Sequence, residues 1–151
     1  MFGIDQKLEE DKNLTVMFYN MGGMDTEVSI VQYSLVAVSE KKSSPHIRVL
    51  GEASLKDLGS RDLDSIIVNL LAQKFNALPE REGKDGVLTN VRASKRLQKE
   101  VVKIKEILSA NLQASIKIPE LLDYVTLQLM LSREEVEDAA SSFFDRVSIP
   151  A

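Results

Sequence analysis

The residues best suited to chemistry form a glycine turn between two apolar stretches, within residues 16–31 (VMFYNMGGMDTEVSIV). The first stretch ends at Asn20, and the turn contains Gly22 and Gly23. Backbone N–H groups exposed in such a turn can form a nest that holds phosphate oxygens. Two glycines after a strand also suit an ordinary hairpin. The residues alone therefore favour a hairpin turn, with phosphate binding as the second interpretation.

A second pair of polar residues, Lys105 and Ser109, stands four positions apart in a stretch with helical periodicity. Residues at that spacing lie on the same helix face. Without further information they indicate a solvated lysine and a serine near a helix end. Three more lysines recur every four residues and predict a solvent-exposed face that could also meet a partner protein: Lys95, Lys99 and Lys103.

Composition excludes several kinds of chemistry. The 151 residues contain no cysteine, which removes disulfides, thiolate metal sites and cysteine nucleophiles. His46 is the single histidine, so no histidine-based metal site or Ser–His pair can be assembled. A net charge of −4 and the absence of tryptophan argue against nucleic-acid binding. The apolar runs are too short to span a bilayer, and acidic residues near the N-terminus interrupt any secretory signal.

The elements that must position these residues begin with three predicted strands. Alternating or apolar residues predict strands at 14–20, 26–39 and 46–53, with a polar loop at 40–45. Short connections favour an antiparallel three-strand meander. Four methionines are predicted to fill the core rather than to act in redox chemistry: Met17, Met21, Met24 and Met130.

The second half of the chain is predicted to be rich in helices. A helix begins at Ser60, and a longer one runs over 90–111 with an apolar stripe. Alternating residues at 112–118 and 121–131 predict a hairpin. A capping box that opens at Ser132 predicts a last helix extending to residue 144.

Four further segments follow the glycine turn and carry a resemblance to a known family in the same order along the chain: 58–64 (LGSRDLD), 103–109 (KIKEILS), 113–118 (QASIKI) and 132–144. Together with the glycine turn they resemble the second lobe of the actin-like ATPase domain of the seventy-kilodalton heat-shock chaperone family. The turn is similar to that family's second phosphate loop. Within the family, the turn and residues 107–111 are most similar to the large endoplasmic-reticulum branch of 170-kDa glucose-regulated chaperones.

The resemblance implies an α/β fold that forms part of the second lobe: a three-strand meander plus a helix-rich capping subdomain with a β-hairpin. Residues 1–58 would be part of the base subdomain with the second phosphate loop. Residues 59–140 would be the nucleotide-capping subdomain, and 141–151 the start of a return to the base. The chain would thus be a fragment whose sheet has an unprotected edge, which favours association.

The resemblance also implies site residues. Gly22, Gly23, Lys105 and Ser109 would contact ATP or ADP, held with Mg²⁺ in the intact parent and not tightly by the fragment alone. Asn20 stands where the family has an aspartate that orients a magnesium-bound water. The sequence therefore predicts no catalytic residue and no metal ligand in this chain. An amide keeps the shape of that aspartate but loses its charge and basicity.

Four other positions depart from the family pattern. Met24 replaces a glycine, and Asp25 places an anion where a threonine hydroxyl would face a phosphate. Val102 stands where a glutamate often contacts the ribose, and Glu106 stands where an arginine often stacks on the adenine. These changes predict weak or absent hydrolysis and weakened nucleotide contacts.

For the parent, the resemblance implies nucleotide-regulated protein folding in the stress response. Its partners would be unfolded clients, bound through regions outside this chain, and a co-chaperone or sister chaperone, with no nucleic acid or membrane. The endoplasmic reticulum lumen is the expected location, supported by the glycosylation triplet that starts at Asn13, and the cytoplasm is the alternative. The rival function is a non-catalytic actin-like interaction module that acts as an exchange factor or co-chaperone surface. A third alternative is an unrelated α/β domain.

Overall fold

A computed structural model describes residues 12–39 and 42–151 of the chain. They form two compact units, each described below by itself. The first contains the described residues up to Gly59 together with Ile149–Ala151, and the second is Ser60–Ser148. No helix in the described ranges is long and apolar enough to cross a membrane. The assignment of 1–58, 59–140 and 141–151 to family subdomains stays a prediction.

The first unit is an antiparallel sheet of three strands in the order β1-β2-β3. These strands are β1 (Leu14–Met21), β2 (Asp25–Ser39) and β3 (Lys42–Lys56). Strands that follow one another in the chain pair antiparallel, so the predicted meander is confirmed. The register places Asn20 opposite Glu27, and Glu27 opposite Ser54 on the third strand.

The third strand begins earlier than predicted. The segment 40–45 was predicted to be a loop, but Ser43 and Pro45 lie in β3 and pair with Ala37 and Leu35. Residues 40 and 41 lie outside the described ranges. Proline cannot donate a ladder hydrogen bond, but at the edge of a sheet its missing N–H can face away from the neighbouring strand. Because β3 is an edge strand of the described sheet, Pro45 does not end it.

The interior of the first unit is small. Thr26, Val28 and Val31 of β2 are buried, as is Leu58 after β3. The prediction that the methionines fill the core is wrong for Met17, Met24 and Met130, which are 52%, 65% and 55% exposed. Strand alternation turns Met17 away from the half-buried side of β1, and Met24 lies in the turn.

The second unit packs helices over a β-hairpin. Its elements are α1 (Ser60–Asn76), α2 (Val91–Ala110), β4 (Gln113–Leu122), β5 (Val125–Ser132), α3 (Arg133–Ala139) and α4 (Ser141–Val147). Two short 3-10 turns, Pro79–Arg81 and Val87–Thr89, lie between α1 and α2. The predicted stripe of α2 is buried in a core shared with α1 and the hairpin: Leu97, Val101, Ile104 and Leu108. The three lysines predicted to face solvent are exposed.

The hairpin reverses at Asp123 and Tyr124, whose φ values are 51° and 61°. Two successive residues at positive φ make a tight reversal that matches the twist of the strands. The second strand therefore begins at Val125 and not at residue 121 as predicted. A buried Arg81 holds this reversal, because its guanidinium pairs with Asp123 and lies 5.2 Å from the ring centre of Phe75.

The predicted last helix is divided in two. Its capping box is confirmed, since Ser132 Oγ accepts from the Glu135 N–H (3.1 Å) and Glu135 Oε2 accepts from the Ser132 N–H (2.9 Å). The helix stops at Ala140, which has φ −101° and ψ 12°. Ala140 is fully buried, and the break lets Val136 and Phe143 both face the interior. Alanine favours helix, so the sequence contained no signal for this break.

Candidate functional site

The glycine turn of the first unit is a closed hairpin. The last strand pair is Met21 with Thr26, and the Gly22 N–H donates to the Asp25 carbonyl at 2.8 Å. That N–H is therefore already used inside the turn and is not free to hold a phosphate oxygen. The structure places the two predicted phosphate-binding glycines together, but with one of their donors occupied.

The carboxylate of Asp25 lies against the same glycine. A β-carbon added to Gly22 would be 3.0 Å from Asp25 Oδ1. This places a negative charge beside the backbone that a phosphate would approach, and like charges repel. Among the described residues, no group of three acidic or histidine side chains is arranged to hold a metal ion. The Asp25 carboxylate therefore opposes a phosphate at this hairpin, and the assignment of Gly22 and Gly23 as nucleotide contacts stays a prediction.

Two residues outside the predicted site hold this hairpin in place. A β-carbon on Gly59 would be 2.5 Å from the carbonyl carbon and oxygen of Gly23, so the two backbones are in direct contact. Thr26 Oγ1 donates to the Leu58 carbonyl at 2.6 Å, and Thr26 is fully buried. The motif at 58–64 was the sequence signal for Gly59. Thr26 had none, because threonine is ordinary in a strand.

Asn20 lies on the face of the sheet at the same end. Its cross-strand neighbours Glu27 and Ser54 share with it a shallow cavity of about 460 Å³. Side chains directly opposite on antiparallel strands are about 5 Å apart at their β-carbons. Sequence analysis missed Glu27, which places a carboxylate next to the amide that replaces the family's aspartate.

Lys105 and Ser109 line one cavity of the second unit, about 320 Å³ in volume, which we call the Lys105 groove. Its walls come from all four helices: Leu63 and Ile67 of α1, Leu108 of α2, Val136 of α3 and Phe144 of α4. The floor is apolar, and the polar side chains stand at the rim. The structure thus brings together the two predicted adenosine contacts of this unit.

Both polar side chains already have partners. Lys105 Nζ is 2.7 Å from Asp64 Oδ1 and 3.5 Å from the Ser60 carbonyl. The Ser109 hydroxyl donates to the Glu106 carbonyl at 2.6 Å. An ammonium has three protons and a hydroxyl oxygen has two lone pairs. Lys105 therefore keeps one donor for a ligand, whereas Ser109 can only accept.

Val102 and Glu106, the two residues of α2 that differ from the family pattern, do not line the Lys105 groove. Val102 lines a different cavity of about 540 Å³ with Arg61 and Gln98, and Glu106 is exposed. Arg133 and Glu137 also line the Lys105 groove, and Arg133 fixes the end of α2. Its guanidinium and Nε donate to the carbonyls of Leu108, Ser109 and Asn111 at 2.9 to 3.3 Å. A cation at this helix end also suits the helix dipole.

Glu135 ties the start of α3 to α1. Lys74 Nζ donates to Glu135 Oε1 at 2.6 Å, while the other oxygen accepts from the Ser132 N–H. The hydrogen bond from Lys74, followed by that from the Ser132 backbone, lowers the pKa of Glu135. This ion pair fixes one side of the helical layer that carries Val136 into the Lys105 groove.

A three-strand meander with a glycine turn, followed by helices packed on a hairpin, is what the second lobe of an actin-like ATPase domain would provide. The chain belongs to the Hsp70 family, because the family model described as Hsp70 protein matches residues 1–151. The predicted family and fold class are confirmed, and the interpretation as an unrelated α/β domain is wrong. The chain corresponds to part of the nucleotide-binding domain of a heat-shock-type chaperone.

Among its relatives is Hypoxia up-regulated protein 1 from several vertebrates. The chain is 33% identical to the protein from Xenopus laevis, 34% to that from Gallus gallus and 30% to that from Homo sapiens. Each alignment covers 89% of this chain and 21%, 13% and 14% of the respective relative. The chain therefore spans about a fifth or less of these proteins. They represent the 170-kDa endoplasmic-reticulum branch, so the predicted branch is confirmed.

Proposed function

We propose that this chain supplies the nucleoside-holding part of an ATP-binding chaperone domain in which hydrolysis is weak or absent. One observation carries the proposal. Lys105 and Ser109 share a groove with an apolar floor, as small-molecule sites usually do. The glycine hairpin, in contrast, carries the Asp25 carboxylate and an amide at Asn20.

At the nucleoside end, the remaining hydrogen-bonding capacity suits adenosine. Ser109 can accept from an exocyclic amino group, because its own proton is donated to Glu106. Lys105 keeps one N–H donor, which a ring nitrogen or a sugar hydroxyl can accept. The apolar floor of the groove would pack against the face of the base.

At the phosphate end, the residues present fit binding better than turnover. The family uses ATP and ADP with Mg²⁺, and the bound nucleotide supplies the phosphoryl bond that is broken in hydrolysis. Asn20 is neutral and cannot take a proton from an attacking water. Asp25 adds repulsion close to Gly22. Gly22 and Gly23 would therefore contact a phosphate only at the distance that this repulsion allows. Neither glycine would promote phosphoryl transfer.

The parent protein would use the bound nucleotide to control client binding through regions outside this chain. Its partners would be unfolded clients and a co-chaperone or sister chaperone. The relatives' location supports residence in the endoplasmic reticulum lumen. The second candidate, a non-catalytic interaction module, is favoured by five departures from the family pattern at positions where the family contacts nucleotide: Asn20, Met24, Asp25, Val102 and Glu106.

Titration calorimetry of ATP and adenosine into the intact parent protein tests the proposal. Lys105→Met should raise the dissociation constant for both ligands about tenfold, the effect of one lost charge-assisted hydrogen bond. Lys99→Met is the matched control, because Lys99 is an exposed lysine of the same helix and outside the groove. If the unsubstituted parent binds neither ligand, the interaction-module function replaces this one.

A further inference from the structure

We infer that the outer face of α2 binds an acidic helix of a partner protein. The surface consists of five cations on one side of the helix, which we call the α2 basic face: Arg92, Lys95, Arg96, Lys99 and Lys103. The inference goes beyond the proposed function, because it requires no nucleotide and uses none of the residues that line the Lys105 groove.

The spacing of the five cations places them on one face. Four of them follow one another at intervals of four, three and four residues, the spacing of side chains along one side of a helix. Lys95 stands beside that line, and the apolar stripe of α2 lies on a different face, buried in the core. Four of the cations are exposed, and Arg96 is half-buried. With a rise of about 1.5 Å per residue, the line is roughly 16 Å long.

The positive charge of this face is not balanced locally. The chain has 23 acidic and 19 basic residues, but residues 91–99 contain four cations and no acid. Lys103 pairs with Glu100 at 2.8 Å, whereas the other four cations have no acidic partner among the described residues. The excess charge therefore lies over the first half of α2, where a negatively charged partner would be attracted most strongly.

This arrangement destabilises the free helix. The helix dipole disfavours cations near the N-terminus, yet Arg92 lies in the first turn of α2, which has no acidic residue. Like charges four residues apart also repel, as do Arg92 with Arg96 and Lys95 with Lys99. An acidic partner would relieve both repulsions, so the residues that destabilise the free helix would stabilise the complex.

A fixed arginine and an exposed tyrosine lie near the N-terminal end of the face. The Arg96 guanidinium donates to the carbonyls of Pro119 and Glu120 at 2.5 and 2.7 Å, so the β-hairpin sets its position. Three of its five N–H groups remain for a partner. Tyr124 is 91% exposed and lines a cavity of about 600 Å³ together with Arg92 and Arg96. Arginine and tyrosine are enriched among the residues that dominate binding at protein interfaces.

The spacing of the cations argues for a helix as the partner. A helix that carries Asp or Glu at intervals of four, three and four residues repeats its carboxylates at the same pitch as the α2 basic face. The cavity beside Tyr124 is also lined by Glu120 and Asp123, and Asp123 pairs with Arg81. A continuous polyanion would meet these acids, whereas carboxylates placed along a helix can contact the cations alone.

Fluorescence anisotropy of a labelled peptide, titrated with the intact parent protein, tests the inference. The probe is an alanine-rich helical peptide of about 20 residues with glutamates at intervals of four, three and four. The double variant Lys95→Gln, Lys99→Gln should weaken binding about fivefold, the effect of two lost surface ion pairs. Tyr124→Ala should weaken it by a similar factor, because the exposed ring would lose its contact with the peptide.

The double variant Lys84→Gln, Lys117→Gln is the matched control. It removes the same charge from two exposed lysines of the same unit that lie outside the α2 basic face. We expect it to change the peptide affinity by less than about twofold, since distant surface charges are screened by salt. Equal losses in the two double variants would overturn the inference, because only the total charge would then matter.

A second peptide separates spacing from charge. It has the same composition, but its glutamates stand in one block, and it should bind about fivefold more weakly because fewer carboxylates reach the cations. Equal affinity for the two peptides would show a general attraction for negative charge, against the inference. Tighter binding of single-stranded DNA, lost in the Lys95→Gln, Lys99→Gln variant, would assign the face to nucleic acid and also overturn it.

Stability and ATP binding of the same variant complete the test. The Lys95→Gln, Lys99→Gln variant should unfold at or above the temperature of the parent, because a repulsion has been removed. Its affinity for ATP should equal that of the parent, so a failed peptide experiment leaves the proposed function standing. Unchanged peptide affinity in this folded variant would show that the α2 basic face is not a binding surface.

Discussion

Single side chains carry the departures of this chain from the family pattern around the glycine turn. Asn20 and Asp25 differ from the family's aspartate and threonine by only a few atoms. The first change removes a negative charge, and the second adds one at another position of the loop. The carboxylate is removed from the end of β1 and added beside Gly22. Glu27, opposite Asn20 on β2, keeps an acidic group on that face. These exchanges explain how the fold can be retained while hydrolysis is expected to be weak.

Glu135 provides a pH test at the same scale. Its pKa is lowered in the folded state from an ordinary value of 4.5, chiefly by Lys74. The stabilisation is therefore fully present above pH 4.5 and is lost as the pH falls through the folded-state pKa. Glu135→Gln should cost about 0.5 kcal/mol near neutral pH, because a side chain that is 41% exposed is partly screened by solvent.

The measurement for Glu135 is the free energy of unfolding in urea at several pH values. The difference between the parent and Glu135→Gln should shrink steadily below pH 4.5. Glu134→Gln is the matched control, since Glu134 lies in the same first turn of α3 but is exposed. A difference that stays constant down to pH 3 would show that the Lys74 ion pair does not stabilise the fold.

At the scale of elements, amphipathic helices and caps were predictable, whereas boundaries set by packing were not. The apolar stripe of α2 and the capping box at Ser132 depend only on residues a few positions apart, so the sequence is sufficient to predict them. The early start of β3 at Pro45 depends on its position at a sheet edge, and the break at Ala140 depends on burial on both sides. Neither condition is visible in a local stretch of sequence.

The same limit applies to the candidate site. Sequence resemblance identified Lys105 and Ser109, and the structure placed them in one groove. It did not indicate that Phe144 lines the same groove, because a phenylalanine in an amphipathic helix is normally assigned to the core. Nor did it show that the Gly22 N–H is used inside the turn. Hydrogen bonds and contacts between distant residues decide these points.

The contact between Gly59 and Gly23 yields a prediction about the hairpin. Gly59→Ala would place a β-carbon 2.5 Å from backbone atoms of Gly23, so one of the two segments has to move. We expect a loss of about 1 to 3 kcal/mol in unfolding free energy, as for overpacking in a core. Amide hydrogen exchange at residues 21–25 should speed up as the hairpin loses its support.

Gly51→Ala is the control for that experiment. Gly51 lies in β3 with no atom within 4 Å of an added β-carbon, so its replacement should leave stability within about 0.5 kcal/mol of the parent. Equal effects of the two substitutions would contradict the account of Gly59, because they would show only the general response of the sheet to alanine.

At the scale of the whole molecule, the two units divide the expected contacts with a nucleotide. The sheet carries the glycine hairpin, and the helical unit carries the Lys105 groove. The chain spans 13% to 21% of the Hypoxia up-regulated protein 1 sequences it matches. Activity is therefore to be measured on the intact parent protein, which would supply all of the proposed contacts to a nucleotide.

The most direct test of the account is ATP binding and single-turnover hydrolysis by the intact parent, compared with its Asn20→Asp variant. We expect the parent to bind ATP and hydrolyse it slowly, and the variant to bind with similar affinity but hydrolyse at least tenfold faster, because a carboxylate replaces a neutral amide. Fast hydrolysis by the unsubstituted parent would contradict the account.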